Sequence, residues 1–336
     1  MSKKQIKTEY MYSTPRFRFA EGKMLTRDEL YSLCEAQNAY DIAEKLVSKG
    51  NAFVKNSDGG YDLDLIADKI FLDSFNFVSE VSETPHIYDI FKYPYDCHNL
   101  KSAIKCAIRG VDAMPLMYFC SSVSPEHTVE AIKNREVIKF PKNMANAALD
   151  AIDSYAKTKN PQLIDIVLDK ACFADMLALA KDSRSEYLAE VVRTKIDLAN
   201  ILLCDRMMRM PCEHSREAIF DMAFIDGGSI NRDVLTDMLS LTRRELAEKI
   251  ANTEYYLLSR VLFDEKSNLA MLEKAADDTL MELALNAKRV SFGVEVAAGY
   301  IMAREMEAKN IRILINGKKN GDAAQSIRER LRVSYE

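Results

Sequence analysis

Four stretches carry residues whose types and spacing could do chemistry. In Asp277-Asp278-Thr279-Leu280-Met281-Glu282, an aspartate pair on a helix offers hard carboxylate oxygens of the kind that hold magnesium. All-helical lyases built this way place a third acid three residues after the second. That position is Met281, and no second acidic helix accompanies it, so the cluster reads as a solvated acidic face. Cys204, Cys212 and His214 supply three zinc-type ligands without a fourth, and their spacing matches no zinc module. Gly317-Lys318-Lys319-Asn320-Gly321 lacks the spacing and the Ser/Thr of a phosphate-binding loop. The sequence holds no G-x-G-x-x-G run, His-Glu-x-x-His helix or Gly-x-Ser-x-Gly elbow, and the histidines at 86, 98, 127 and 214 share no spacing. No catalytic residue, metal, cofactor or small-molecule substrate is expected. What remains is a pair of charges, Glu305 and Arg312, set in an apolar run.

That run, from Phe292 to Gly321, has the period of a helix. Val294, Ala297, Ala298, Ile301, Ala308 and Ile315 form one stripe, and Tyr300, Ala303, Met306, Ile313 and Leu314 form the opposite side. A helix apolar nearly all round is buried on both sides. Charges interrupt it too often for a membrane span, which needs roughly 20 mostly apolar residues. Asn316-Gly317 is expected to end it, with a basic turn following. Glu305 and Arg312 lie about 10 Å apart along the first stripe, where a charge must find a partner or reach water. Either they make ion pairs that hold the fold, or the stripe lines a polar socket for another protein. The first reading suits Arg312, ringed by Ala308 and Ile315. The second suits Glu305, beside the small and medium side chains Ala298, Ile301 and Ala308.

The elements that must position these residues are also helices. Thr26-Arg27-Asp28-Glu29 and Ser183-Arg184-Ser185-Glu186 read as capping boxes. Ser124-Pro125 and Asn160-Pro161 pair an N-cap with a proline at the first helical position. Asn56-Ser57-Asp58-Gly59-Gly60 and Asp226-Gly227-Gly228 mark loops. The chain repeats itself at intervals of roughly 100 residues. Asp96-x-x-Asn99 recurs as Asp197-x-x-Asn200 and as Glu295-x-x-Ala298, and Ala67-Asp68-Lys69 as Leu168-Asp169-Lys170 and Leu272-Glu273-Lys274. Arg27-Asp28-x-Leu30 recurs as Arg232-Asp233-x-Leu235. Three helical units are expected, at 1–117, 118–225 and 226–336. Such units close round a pseudo-threefold axis or extend as a solenoid, whose repeats are usually shorter, about 20–45 residues.

Hydrophobic residues make up 48% of the 336, enough for a large core, and the 11 Gly and 8 Pro are few, which favours long helices. Residues 1–27 hold seven Lys/Arg against two Glu, and residues 304–336 hold eight against five acids, although the whole chain carries −5. Basic ends on an acidic body suggest protein partners on different faces. A nucleic-acid groove would interleave its cations with aromatics, so nucleic acid is not expected. The opening residues form no secretory signal, which points to the cytoplasm or a membrane's cytoplasmic face. Seven scattered cysteines without a Cys-x-x-Cys pair read as reduced thiols.

The C-terminal residues Tyr300, Ala303, Glu305, Glu307, Asn310, Arg312, Gly317-Lys318 and Ile327-Arg328-Glu329-Arg330-Leu331 carry a family pattern, as do Tyr12, Arg16-Phe17-Arg18 and Met24-Leu25 near the start. In this the chain resembles the C subunit of bacterial and archaeal V-type rotary ATPases, which the vacuolar enzyme calls its d subunit. Arg304 departs from the pattern, a lysine being common there. The resemblance implies an all-α fold of three similar subdomains forming a funnel. It implies a non-catalytic component, peripheral on the cytoplasmic face of the membrane, that couples the central shaft subunits to the proteolipid rotor ring and passes torque for ATP-coupled proton or sodium ion transport. Arg16, Arg18, Glu305, Arg312, Lys318, Arg328 and Arg330 would then be candidates for partner contacts. The competing reading is a free-standing helical-repeat scaffold that binds a protein and has no ATPase role.

All seven cysteines should react with a thiol reagent after denaturation without prior reduction. A disulfide, or one zinc bound per chain, would show that they are not simple thiols.

Overall fold

Helix follows helix along the chain: α1 (Ser13–Glu21), α2 (Arg27–Cys34), α3 (Ala39–Ser48), α4 (Ile66–Val81), α5 (Tyr93–Arg109), α6 (Pro125–Asn134), α7 (Lys142–Thr158), α8 (Gln162–Ser183), α9 (Glu186–Met208), α10 (Arg216–Ala223), α11 (Arg232–Met238), α12 (Arg243–Ile250), α13 (Tyr256–Phe263), α14 (Leu269–Ala287), α15 (Val294–Asn320) and α16 (Ala324–Arg330). The computed structural model describes residues 10–51, 53, 55, 59–210 and 216–336. Among these there is no β-strand, only an isolated antiparallel bridge between Lys55 and Tyr61. The fold is all-α. Cys212, His214 and the loop residues 56–58 lie outside the described residues. The six other cysteines are buried and free.

The chain divides into two units, residues 1–85 with 270–336, and residues 86–269. In the first, α15 is the hub, and α1, α2, α3, α4 and α16 all pack on it. Sixteen of its residues are buried, among them most of both apolar sides read from the sequence. The helix does not stop at Asn316-Gly317. It runs to Asn320 and is capped by Gly321 in the left-handed region, at φ 75°. Gly317 stays helical because its missing side chain makes room for a neighbour: a Cβ there would lie 2.7 Å from Ile327 of α16. Gly299 likewise lets α14 approach, since its Cβ would lie 2.7 Å from that of Ala287.

In the second unit, α8 packs on α7, α9 and α5, and α12 pairs with α13. Ser124 caps α6 ahead of Pro125. Asn160 accepts from the Gln162 amide at 3.0 Å at the start of α8. The second expected capping box is absent. Ser185, not Ser183, caps α9 and accepts from Leu188, while Ser183 ends α8 before a left-handed Arg184. Pro141 cannot cap α7 with a side chain, and the buried Asp175 does so from α8. It accepts from the amides of Asn143 at 3.0 Å and Met144 at 2.8 Å, placing a carboxylate at a helix N-terminus.

One buried arrangement occurs three times. Asn99 of α5 holds Tyr118 by both backbone groups, its Nδ2 donating to the carbonyl at 2.8 Å and its Oδ1 accepting from the amide at 2.9 Å. Asn200 of α9 holds Ile225 in the same way, at 2.8 and 3.0 Å. Asn310 of α15 holds Arg332, at 3.2 and 2.8 Å. One turn before each asparagine stands an acid. Asp96 accepts from the amides of Ser122 and Val123, both at 3.0 Å. Asp197 accepts from those of Ser229 at 2.8 Å and Ile230 at 3.0 Å. Glu307 accepts from that of Leu25 at 2.7 Å. In each case the next residue along, Ser124, Asn231 or Thr26, is the N-cap of a helix. The third copy of the motif is therefore Glu307-x-x-Asn310, not Glu295-x-x-Ala298. Glu295 lies in the first turn of α15, and Ala298 has no side-chain polar group to clasp with.

The three acids are satisfied differently. Oδ1 of Asp96 takes both amides, and Oδ2 accepts only the Ser122 hydroxyl. Burial pushes the Asp96 carboxyl up to about 6. Asp197 uses both oxygens on amides and also accepts the Tyr255 hydroxyl at 2.6 Å. Asp96→Asn can keep every contact, its Nδ2 donating to Ser122, and should stay within about 1 kcal/mol of wild type. Asp197→Asn must turn an N–H toward an amide N–H and should lose about 2–3 kcal/mol. Because Asp96 binds its proton more tightly folded than unfolded, its contribution favours the fold at low pH and is lost as pH rises from about 4 to about 6. The stability of wild type relative to Asp96→Asn should fall over that window and be level above it. Thermal melts across pH test both points, and equal losses for the two variants would refute the assignment of the acceptors.

Candidate functional site

The charged residues singled out in the sequence do not converge on one site. Arg312 pairs with Asp68 of α4, a carboxylate only 13% exposed. Glu305 is half-buried, in the field of Lys309 one turn on. Burial alone would lower the Lys309 ammonium, but Glu305 and Asp277 outweigh it and raise it. The deeply buried acid of α15 is Glu307, which also binds Arg304. Arg18 bonds Glu21 at 2.9 Å and donates to the carbonyls of Ala287 and Val290 at 2.9 and 2.8 Å, satisfying the end of α14. Arg328 reaches Glu35 at 2.6 Å and lies over the Tyr31 ring, and Arg330 reaches Asp322 at 2.9 Å. Lys318 is half-buried near Cys34, whose thiol burial pushes up.

Nor is the Asp277-Asp278 pair a solvated face. Asp277 accepts from Lys309 at 2.7 Å and Arg332 at 3.0 Å. Asp278 accepts from the Val333 amide at 2.9 Å, and burial raises its carboxyl. The pair receives the C-terminal tail, which also sinks Ile327, Leu331 and Tyr335 into the core. Among the described residues no cluster of His, Cys, Asp and Glu is arranged to hold a metal ion.

A groove of about 690 Å³ opens in the first unit, lined from α1, α4, α15 and the turn after α3. Its position follows from α1. On one side of that helix the buried Phe17 meets Phe77 edge-on at 5.5 Å and Tyr300 at 5.5 Å, which pins the helix. On the other, Arg16 and Phe19 follow the helical spacing, continued by Tyr12 at the N-cap and Lys23 just past the end of the helix. Phe19 is 70% exposed and Tyr12 66%. Phe77 and Tyr300 line the groove, and burial raises the Tyr300 phenol. Three charged lining residues have partners: Lys49 pairs with Glu29, Arg304 with Glu307 and Asp73 with Lys69. Arg16 and Lys23 have no carboxylate partner among the described residues. Arg16 donates to the Tyr12 hydroxyl at 2.7 Å and lies 5.2 Å from that ring, and Lys23 lies 4.8 Å from the Phe19 ring. Of these residues the sequence names Arg16 as a candidate partner contact, and Tyr12 and Tyr300 only as part of the family pattern. The signal for the rest was the outward stripe at 12, 16, 19 and 23.

Residues 13–330 match the ATP synthase (C/AC39) subunit family. The chain belongs to that family. It is 26% identical over 334 residues to the C subunit of the V-type sodium ATPase of Enterococcus hirae, covering 98% of this chain and 99% of that one. It is 22% identical over 335 residues to the C subunit of the A-type ATP synthase of Methanobrevibacter smithii, covering 92% and 85%. The motif residues on which the resemblance rested have structural work in this C/AC39 chain. Tyr300 seats Phe17, Glu307 and Asn310 clasp the two ends of the chain, and Gly317 admits Ile327.

Arg312→Met leaves Asp68 with its main counter-ion gone and should cost about 2–3 kcal/mol, partly recovered when Asp68→Leu is added. Glu305→Gln should cost less than about 1 kcal/mol, because Lys309 keeps Asp277. Chemical denaturation of the four proteins decides this. Equal losses from Arg312→Met and Glu305→Gln would contradict the pairing scheme.

Proposed function

We propose that this C/AC39 chain is a non-catalytic coupling subunit of a rotary V-type ATPase or ATP synthase. It sits on the cytoplasmic face of the membrane rotor ring, receives the tip of the central shaft in an opening among its helical units, and passes torque between the two. The observation that carries the reading is the family match across nearly the whole chain, with full-length relatives named as the C subunit of a V-type sodium ATPase and of an A-type ATP synthase. The transported ion, proton or sodium, is chosen by residues of the ring.

The fold supports a mechanical role. A torque adaptor must not yield, and the thrice-repeated clasp fixes backbone to buried helices at 118, 225 and 332. Two of these points fall beside the unit boundaries at 117 and 225 read from the sequence repeat. This is in keeping with three repeated helical units, and their closure as a funnel is what the family resemblance implies. Among the described residues no helix is long and apolar enough to cross a membrane, which fits a peripheral position. Arg16 and Lys318, which have no carboxylate partner among the described residues, are the stronger candidates for partner contacts. Arg18, Arg312, Arg328 and Arg330 are already engaged by carboxylates of this chain.

Membranes lacking this chain should retain ATP hydrolysis by the detached catalytic head but lose ATP-driven ion transport, and adding the purified chain should restore it. The chain alone should turn over no ATP. Failure to co-purify with both ring and shaft subunits from solubilised membranes would leave the scaffold reading in place of the adaptor.

A further inference from the structure

We propose that the groove beside α1 is a docking site for an acidic segment of a partner protein, one that brings an apolar side chain flanked by carboxylates. The proposal stands on this surface alone and holds whether or not the rotary assignment does.

Charge selects the occupant. The groove's buried and half-buried charges cancel in pairs, Lys49 with Glu29, Arg304 with Glu307 and Lys69 with Asp73. Among the described residues Arg16 and Lys23 are left without a carboxylate partner, two cations one turn to either side of Phe19. Most other basic residues near the chain ends have found acids within the chain, including Arg18, Lys319, Arg328 and Arg330. These two rest instead on aromatic rings. A cation held over a ring keeps its N–H donors for an incoming acceptor while the ring fixes its position. The wall between them is apolar: Phe19 stands largely exposed on the rim, with Pro15, Phe77 and Tyr300 behind it. An exposed aromatic with an arginine beside a groove is the composition of an interface hot spot, where one apolar anchor is buried and flanking charges set orientation. The volume, about 690 Å³, admits one or two side chains and a short length of backbone.

The test replaces Phe19 with photoreactive p-benzoylphenylalanine in the full chain, expressed in its own cells, followed by illumination and mass spectrometry of the cross-linked peptide. The position is exposed, so the fold should tolerate it, and an unchanged melting curve checks that. One protein adduct is expected, on a segment with at least two Asp or Glu close to the attachment point. Combining it with Arg16→Glu and Lys23→Glu should lower the yield about tenfold, as loss of two charge-assisted contacts predicts. Lys139→Glu, an exposed charge reversal on the chain connecting α6 to α7, should leave it unchanged. A lipid adduct, an adduct on a neutral or basic segment, a yield indifferent to charge reversal at 16 and 23, or no adduct would each overturn the proposal.

Discussion

A carboxylate buried among helices must be given hydrogen bonds, and the fold rests on how three of them obtain theirs. Asp96, Asp197 and Glu307 are each on a long helix, out of water, one turn before a buried asparagine. An unsatisfied carboxylate in such a place would cost several kcal/mol. The donors come from backbone amides immediately before another helix begins. The requirement of the acid thus becomes the position of the next helix, and the asparagine fixes the length of backbone that leads there. Space is made for it where needed: at Gly228 a Cβ would lie 2.1 Å from Asp197 Oδ1, so a side chain there would exclude the carboxylate. The three sites differ in how much negative charge they stabilise. Asp197 spreads its amides over both oxygens and adds a tyrosine hydroxyl, Glu307 adds an arginine, and Asp96 takes both amides on one oxygen and a serine hydroxyl on the other, with burial raising its carboxyl.

The same logic accounts for the packing of α15. With α1, α2, α3, α4 and α16 all against it, the helix cannot keep a solvent face along much of its length. Its polar residues consequently bond to neighbours: Glu307 to Leu25, Asn310 to Arg332, Lys309 to Asp277, Arg312 to Asp68. Its small residues, Gly299 and Gly317, mark where α14 and α16 come closest. A glycine costs helix stability, and here the cost is offset by burial of Ala287 and Ile327, both nearly inaccessible to solvent.

What the sequence disclosed was local or periodic. The all-helical class, the Thr26 capping box, the Ser124-Pro125 start and the equivalence of Asp96-x-x-Asn99 with Asp197-x-x-Asn200 could all be read from neighbours in the chain. Apart from the capping box at Ser183, where Ser185 caps instead, the misreadings share a cause, which is contact between residues far apart. Gly317 reads as a helix end because nothing nearby shows Ile327 packing on it. Asp277 and Asp278 read as solvated because the lysine, arginine and amide that bind them arrive from residues 309, 332 and 333. The third clasp was placed at Glu295 because its distance from Asp197 resembled the first interval. The true pair at 307 and 310 lies further on, and its acid has one more methylene, which breaks both the spacing and the residue type. The groove was legible only in part, since a stripe of Tyr, Arg, Phe and Lys on a short helix is equally the pattern of a buried face.

The basic ends of the chain looked like surfaces for partners, and the structure changes what that charge means. Most of it is engaged internally: arginines and lysines of the C-terminal stretch meet Asp64, Asp68, Glu35, Asp277 and Asp322, and Arg18 meets Glu21. The asymmetry in sequence charge is therefore mostly internal pairing, three of the pairs reaching back from the C-terminal stretch to Glu35, Asp64 and Asp68, and only its remainder is available to other molecules. Along and just past α1 that remainder, among the described residues, is Arg16 and Lys23, beside the exposed Phe19. Surface ion pairs contribute little to stability and single exposed apolar residues are common, so neither the cations without a described carboxylate partner nor the exposed ring is unusual alone. Their meeting at one groove is the ground on which a partner is proposed there.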